Sequence, residues 1–358
     1  MTEKTIAVIP GDGIGIDVTR EAVKVLKTLE EVLSVRFRIA EYDYGAEKYL
    51  KTGISMPPGG LDDLRRHDAI FMGAFGDPRV PDMKHAADIL LGTRFGLDLY
   101  ANMRPVKLLA DELCPLKGRK RSDINFVVFR ENTEGLYVGM GGHFKKDTED
   151  EIAIQEDINT RKGVERIIRH AFDYARRAGR KKVLMSDKSN VLTYGHDLWQ
   201  RVFKVVSAEY PEIVASHMYV DALSMQMLKD PSQFDVIVTC NMFGDIVTDI
   251  GAQLQGGLGM AASGNINPAG TSMFEPVHGS APKYAGKNVA NPIGAILSTQ
   301  MMVEHLGLPE AGRLIEAAVV RCIETHQTPS ELGGTLGTTA TGDAICQEIR
   351  KLSVSAGS

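Results

Sequence analysis

Short apolar runs alternating with amphipathic helical stretches constrain this chain more than any other feature. Ile6-Ala-Val-Ile9 reads as a buried strand, and Asp17 to Leu29 as a helix with Val18, Ala22, Val25 and Leu26 on one face. Ala69–Met72, Phe126–Phe129, Lys182–Met185 and Val236–Thr239 repeat the strand pattern, while Arg161–Ala178 and Leu198–Ala208 repeat the helical one. A strand that must pair in parallel with the next needs a long crossover, usually a helix. The rhythm therefore predicts an α/β fold with a largely parallel sheet, and 358 residues suffice for two domains.

Composition narrows the function classes. The net charge is −5 and the pI about 6.0. That leaves no basic excess for nucleic acid, and the short run Lys117, Arg119, Lys120, Arg121 reads as a solvated loop. No apolar stretch approaches the roughly 20 residues of a membrane span, and no signal or transit peptide is expected ahead of the strand-like Thr5–Ile9. Cys114, Cys240, Cys322 and Cys346 lie far apart without a Cys-x-x-Cys pair. This argues against a zinc site or a disulfide framework and fits a cytoplasmic location. His143–Glu156 is charged and strand-poor, either a surface excursion or an arm to a partner subunit. Ser353–Ser358 is expected to fray.

Three glycine-rich segments bear on ligand binding. Gly11-Asp12-Gly13-Ile14-Gly15 follows the first strand, but a dinucleotide fingerprint needs its third Gly at position 16, where Ile16 stands. It reads equally as a tight strand-to-helix turn or as a cofactor-lining loop of another kind. Gly257, Gly259 and Ala262 match a Gly-x-Gly-x-x-Ala spacing but follow a helix-like stretch, so that match is weak. Gly73-Ala74-Phe75-Gly76 ends a strand, where open α/β sheets place their ligands.

Charged residues supply the remaining candidates. Asp245 and Asp249 stand i, i+4 on a helix whose apolar stripe is Ile246, Val247, Ile250 and Leu254, so both carboxylates leave one face. Like charges at this spacing repel; a hard divalent cation such as Mg²⁺ or Mn²⁺ would relieve them, and a solvated helix face is the plain alternative. Asp221 reads either as a further acid in an apolar setting or as an N-cap for Ala222–Leu228. Arg94, Arg104 and Arg130 flank extended runs; converging, they would suit a di- or tri-acid, and singly they are more often structural ion pairs. Lys188 follows a strand, and a cleft would suit it to general-base work.

Taken together, several segments resemble the β-decarboxylating dehydrogenases of the isocitrate and isopropylmalate class. They are Asp98-Leu-Tyr-Ala-Asn-Met-Arg-Pro105, Phe129-Arg-Glu-Asn-Thr-Glu-Gly135, Asp187-Lys-Ser-Asn-Val191, Asn241-Met-Phe-Gly-Asp245, Glu275-Pro-Val-His-Gly-Ser-Ala-Pro282 and Asn291-Pro292. The resemblance runs from Pro10 to Ala344. It implies a two-domain α/β fold with a large mixed, mostly parallel sheet that is not a true Rossmann fold. One discontinuous cofactor-binding domain would comprise residues 1–99 and 256–358. A central domain, 100–255, would carry the dimer interface, with the active site in the cleft.

By position, the resemblance implies that Arg94, Arg104 and Arg130 hold the carboxylates of a malate. Asp245 and Asp249 would bind Mg²⁺ or Mn²⁺, joined by Asp221 of the second subunit of a homodimer. Tyr137 would be the general acid and Lys188, also lent by the other subunit, the base. NAD or NADP would sit on Gly73, Ala74, Glu275, His278, Gly279, Ser280, Ala281, Lys283, Tyr284 and Asn291. The reaction implied is metal-dependent oxidation and β-decarboxylation of a 3-substituted (2R)-malate. Leu90 and Leu91, just before Arg94, match the apolar pair of the isopropylmalate enzymes and favour 3-isopropylmalate. Burying two or three methyl groups there is worth roughly 2 kcal/mol, whereas a carboxylate would be penalised. Isocitrate, homoisocitrate, tartrate and D-malate are the alternatives. Lys283-Tyr284 is similar to the NADP-using members and tilts the coenzyme expectation to NADP. With Tyr137, Lys188, Asp221, Asp245 and Asp249 all present, a non-catalytic regulatory homologue is disfavoured.

Overall fold

The apolar run Ile6–Ile9 lies at the centre of strand β1 (Thr2–Gly11) in the computed structural model, which describes residues 2–356. The strands that follow are β2 (Val35–Glu41), β3 (Ala69–Ala74), β4 (Ala101–Lys107), β5 (Asn125–Glu131), β6 (Gly141–Phe144), β7 (Ile152–Gln155) and β8 (Lys182–Asp187). They are completed by β9 (Val214–Tyr219), β10 (Val236–Thr239), β11 (Ala262–Ile266) and β12 (Ser272–Pro276). The chain divides into two units: one takes residues up to Leu99, Leu108–Arg121 and Ala252 onward, the other Tyr100–Lys107 and Ser122–Gly251.

In the first unit the strand order is β2-β1-β3-β12-β11. All pairs are parallel except β12 with β11. The helix Ile14–Val32 returns the chain from β1 to β2 and buries Val18, Ala22, Val25, Leu26 and Leu29, the stripe its periodicity predicts. Ala7, Ile9, Ile70, Met72, Ile89 and Met273 belong to one buried cluster, which ties β1, β3 and β12 to the segment carrying Leu90. The C-terminal helix, Thr338–Ala356, packs on Ile14–Val32. Helix therefore replaces the expected fraying over 353–356, and Gly357 and Ser358 lie outside the described residues.

In the second unit the order is β4-β5-β10-β8-β9, antiparallel only between β4 and β5. The helix Arg161–Arg177 buries Ile167, Ile168, Ala171 and Phe172 in this unit. It begins at Thr160, whose hydroxyl accepts the Gly163 N–H at 3.0 Å and satisfies one of the unpaired donors of the first turn. His143–Glu156 is not strand-poor: β6 and β7 pair antiparallel as a hairpin exposed along its whole length. Its two strands are only four residues each, too short for the alternation of Phe144, Ile152 and Ile154 on one face to stand out in the sequence.

Candidate active site

The turn after β1 organises the cofactor-loop candidates of the first unit. Gly13 has φ +57°, and a Cβ there would collide with the Ser280 carbonyl oxygen. That oxygen accepts the Ile14 N–H at 2.8 Å, while the Asp12 N–H donates to the Ala74 carbonyl at 2.7 Å. The buried Asp12 carboxylate accepts the N–H groups of Ala46 (2.7 Å) and Gly76 (2.9 Å), and its Oδ2 lies 2.8 Å from His85 Nε2. Ser280 Oγ donates to the Gly76 carbonyl at 2.6 Å. Ala74 and Ser280 are thus both held by the turn after β1, and glycine at position 13 permits the close approach of the Ser280 carbonyl. Gly257 and Gly259 follow the helix Asn241–Leu254, not a strand, as their weak match to a dinucleotide motif implied.

Further along the same unit, Arg94 is buried and donates to Glu275 Oε1 at 2.8 Å, an oxygen that also accepts from Asn265 at 2.8 Å. Arg94 Nε and His278 Nε2 are buried without a partner. His278 Nδ1 lies 3.0 Å from the Gly279 carbonyl, which places the ring proton there and leaves Nε2 as an acceptor. Burial lowers the His278 pKa, which keeps the ring neutral. Asn291 Oδ1 accepts the Ile293 N–H at 3.0 Å and so helps start the helix Ile293–His305. Lys283 and Tyr284 are exposed, with the ammonium 4.7 Å from the Tyr284 ring centroid. Leu90 and Leu91 are half-buried on a π-type turn, Ala87–Leu91, inside a short helical segment. Asp88 is drawn aside by Ser55 (2.9 Å) and Lys84 (3.0 Å).

The second unit holds a tighter constellation. Arg130, 1% exposed, donates through Nε and Nη2 to Asn241 Oδ1 at 2.9 and 2.7 Å and through Nη1 to Asp245. Arg104 donates to Asn102 (2.8 Å), Thr248 (2.6 Å) and Asp245 (3.4 Å). The Tyr137 hydroxyl donates to Asp245 Oδ2 at 2.8 Å. Burial is the largest cause raising the Tyr137 pKa; Arg130 opposes it and Asp245 adds to it, so the phenol keeps its proton at neutral pH. Desolvation, and after it the like charge of Asp245 one turn away, raises the Asp249 carboxyl. Gly244 makes the approach possible, because a Cβ there would stand 2.6 Å from the Arg130 side chain.

Lys188 and Asp221 form a second pair in this unit, Nζ to Oδ1 at 2.9 Å. Hydrogen bonding to Lys188 is the main cause lowering the Asp221 pKa. Asp221 is not an N-cap: it lies in the first turn of the helix Val220–Lys229, which begins after Tyr219 with no side-chain cap. Ile246 also leaves the expected stripe and is exposed, while Val247 and Leu254 are buried. Among the described residues no three His, Cys, Asp or Glu side chains gather to hold a metal ion. One chain therefore brings Asp245 to Tyr137 and the arginines, and brings Asp221 to Lys188, without joining Asp221 to Asp245 and Asp249. Asn102, Asn241, Gly244 and Thr248 went unassigned in the sequence, although Asn241-Met-Phe-Gly-Asp245 contains two of them.

Comparison with known proteins identifies the class of protein. The family model described as isocitrate/isopropylmalate dehydrogenase matches residues 5–349. A 3-isopropylmalate dehydrogenase of Thermobifida fusca is 46% identical over 353 residues, 98% of this chain and 99% of that one. One of Nocardia farcinica is 46% identical over 96% of this chain and 99% of its own. The crystal structure of isocitrate dehydrogenase from Methylococcus capsulatus has a TM-score of 0.87 at 38% identity, covering 98% of this chain and 100% of that one. The chain belongs to the isocitrate/isopropylmalate dehydrogenase family. It is an α/β, nicotinamide-linked, decarboxylating dehydrogenase of that family, as the motifs from Pro10 to Ala344 led us to expect.

Proposed function

We propose that this chain oxidises and β-decarboxylates (2R)-3-isopropylmalate as a cytoplasmic homodimer with shared active sites. The observation that carries the substrate is similarity at 46% identity, over nearly the whole chain, to 3-isopropylmalate dehydrogenases. The half-buried apolar pair Leu90–Leu91, with Asp88 drawn aside, is the wall expected for a branched alkyl group. Support for the location is that no described helix is long and apolar enough to cross a membrane and that all four cysteines are free thiols.

The residues present fit the two groups the family implies. Asp245 and Asp249 offer hard oxygen donors one helical turn apart; burial first, and then the charge of Asp245, raises the Asp249 carboxyl, and Mg²⁺ or Mn²⁺ would stabilise both carboxylates. Asp221 of the partner subunit completes the set. For NAD or NADP, the unpartnered His278 Nε2 offers an acceptor within the Glu275–Asn291 segment, beside the Gly73–Ala74 loop. The exposed Lys283–Tyr284 pair favours NADP, because a cation suits a 2′-phosphate. When bound, the cation supplies Lewis acidity at the substrate oxygens and the nicotinamide accepts the hydride.

The chain's own residues do the rest. Arg94, Arg104 and Arg130 grip the malate carboxylates; the two in the second unit already hold an acid, Asp245. Lys188, lent by the partner, takes the C2 hydroxyl proton as hydride leaves C2. The resulting 2-keto acid loses its C3 carboxyl group as CO₂. Tyr137, kept protonated by burial, then delivers a proton to C3. Isocitrate is the second reading, favoured by the likeness to the Methylococcus capsulatus enzyme and by Lys283–Tyr284. A panel of 3-isopropylmalate, isocitrate, tartrate and D-malate, each with NAD and NADP and with Mg²⁺ or Mn²⁺, separates them. The proposal expects the highest kcat/KM on 3-isopropylmalate; turnover of isocitrate alone would overturn it.

A further inference from the structure

We propose that His196 is a positioning residue for Lys188, its unprotonated Nδ1 holding the Lys188 backbone N–H and so fixing where the lysine side chain leaves the sheet. The inference rests on Lys188 being the base. Strand β8 ends at Asp187, so Lys188 is the first residue beyond the sheet ladder and needs other anchors. Its carbonyl accepts the N–H groups of Val191 (2.9 Å) and Leu192 (2.8 Å), and its own N–H donates to His196 Nδ1 at 2.8 Å. Both ends of the residue are therefore held, and only the N–H side is held by a side chain.

The ring is built for that task. His196 lies in the first turn of the helix Gly195–Ser207, is 1% exposed, and meets the Phe243 ring edge-on at 5.4 Å between centroids. A backbone N–H pointing at Nδ1 requires a lone pair there, so the ring proton sits on Nε2. That nitrogen faces Asp157 Oδ2 at 4.0 Å, just beyond the end of β7. The preceding Asp187, also buried, is fixed independently by His217 (2.9 Å), Gln200 (2.7 Å) and the Ser189 N–H (3.1 Å). Burial favours the neutral ring, with Asp187 and Asp157 opposing it. A residue needed only to fill this space would not have to present a nitrogen to the Lys188 amide.

The test compares H196L, H196N and K188M by steady-state kinetics with 3-isopropylmalate, NAD or NADP and Mg²⁺, alongside thermal unfolding. Asn sets a carbonyl oxygen where His carries Nδ1, so H196N keeps an acceptor that H196L lacks. We expect H196L to lose at least about tenfold in kcat, with KM within about twofold of wild type, as misplacement of a catalytic group predicts. H196N should recover most of that loss, and K188M should be nearly inactive. Should H196L fail to fold, H196F replaces it as the acceptor-free ring. Equal kcat losses in H196L and H196N would reduce His196 to packing and overturn the proposal. Wild-type kcat in H196L beside an inactive K188M would overturn it while leaving the base assignment standing. An active K188M would remove the base assignment itself.

Discussion

The Asp245 carboxylate accepts from Arg104, Arg130 and Tyr137 at once. In that arrangement one acid compensates two buried guanidinium groups, which would otherwise be costly to keep out of water. In the proposed reaction a diacid substrate would bring carboxylates of its own to the arginines and release Asp245 for a cation. Coenzyme choice also belongs to single residues. Lys283→Asp should turn the coenzyme preference toward NAD by at least about tenfold in the ratio of kcat/KM values, since a carboxylate repels a 2′-phosphate and accepts from ribose hydroxyls. An unchanged ratio would remove Lys283 from the reading. His196 carries a stability prediction. Burial holds its folded pKa below the unfolded value of about 6.5. Its contribution is thus fully present above that value and is lost as pH falls from there toward the folded pKa, where the unfolded chain binds the extra proton. H196N cannot titrate. Urea unfolding at pH 7.5 and 5.5 should show the wild type losing more stability than H196N, by at most about 1.4 kcal/mol per pH unit. Parallel losses would contradict it.

Among the elements, the helix Val220–Lys229 carries Asp221 and also exposes Met225 and Leu228, while Asn241–Leu254 exposes Met242 and Ile246 beside Asp245. Large apolar side chains exposed on the two helices that bear the proposed metal ligands support a subunit interface there. Replacing Met225 and Leu228 together with Glu should yield monomers by light scattering and abolish turnover; an active monomer would refute shared sites. Buried strands made of unbroken apolar runs were legible in the sequence; β11 and β12, equally buried, were not, because Ala262-Ser-Gly-Asn-Ile and Ser272-Met-Phe-Glu-Pro interrupt the run with polar residues. Ile6–Ile9, Ala69–Met72 and Val236–Thr239 are apolar runs and proved to be interior strands. Strands β9, β6 and β7 were illegible because they are short and largely exposed. In the site, the i, i+4 spacing announced Asp245 and Asp249 as a pair. Nothing local announced Asn241 as the acceptor for Arg130, or His196 as the anchor of Lys188. The first pairing is made by β5 lying beside β10, whose following helix begins at Asn241, and the second by β8 against its own following helix, and no sequence spacing encodes either.

In the whole molecule, the proposed catalytic groups fall into two half-sets on one polypeptide. Tyr137, Arg104, Arg130 and Asp245 form one, Lys188 and Asp221 the other, and no described cluster of three metal-binding side chains unites them. If each active site draws one half-set from each subunit of a homodimer, two chains disabled in different halves can repair one another. K188M and D245N should each be nearly inactive alone. Unfolded together in equal amounts and refolded, they should form heterodimers in which one site of two regains both intact halves. The mixture should then recover about a quarter of wild-type turnover of 3-isopropylmalate. A mixture as inactive as its parents, with heterodimers demonstrated by differential tagging, would show that each subunit completes its own site and would contradict the account.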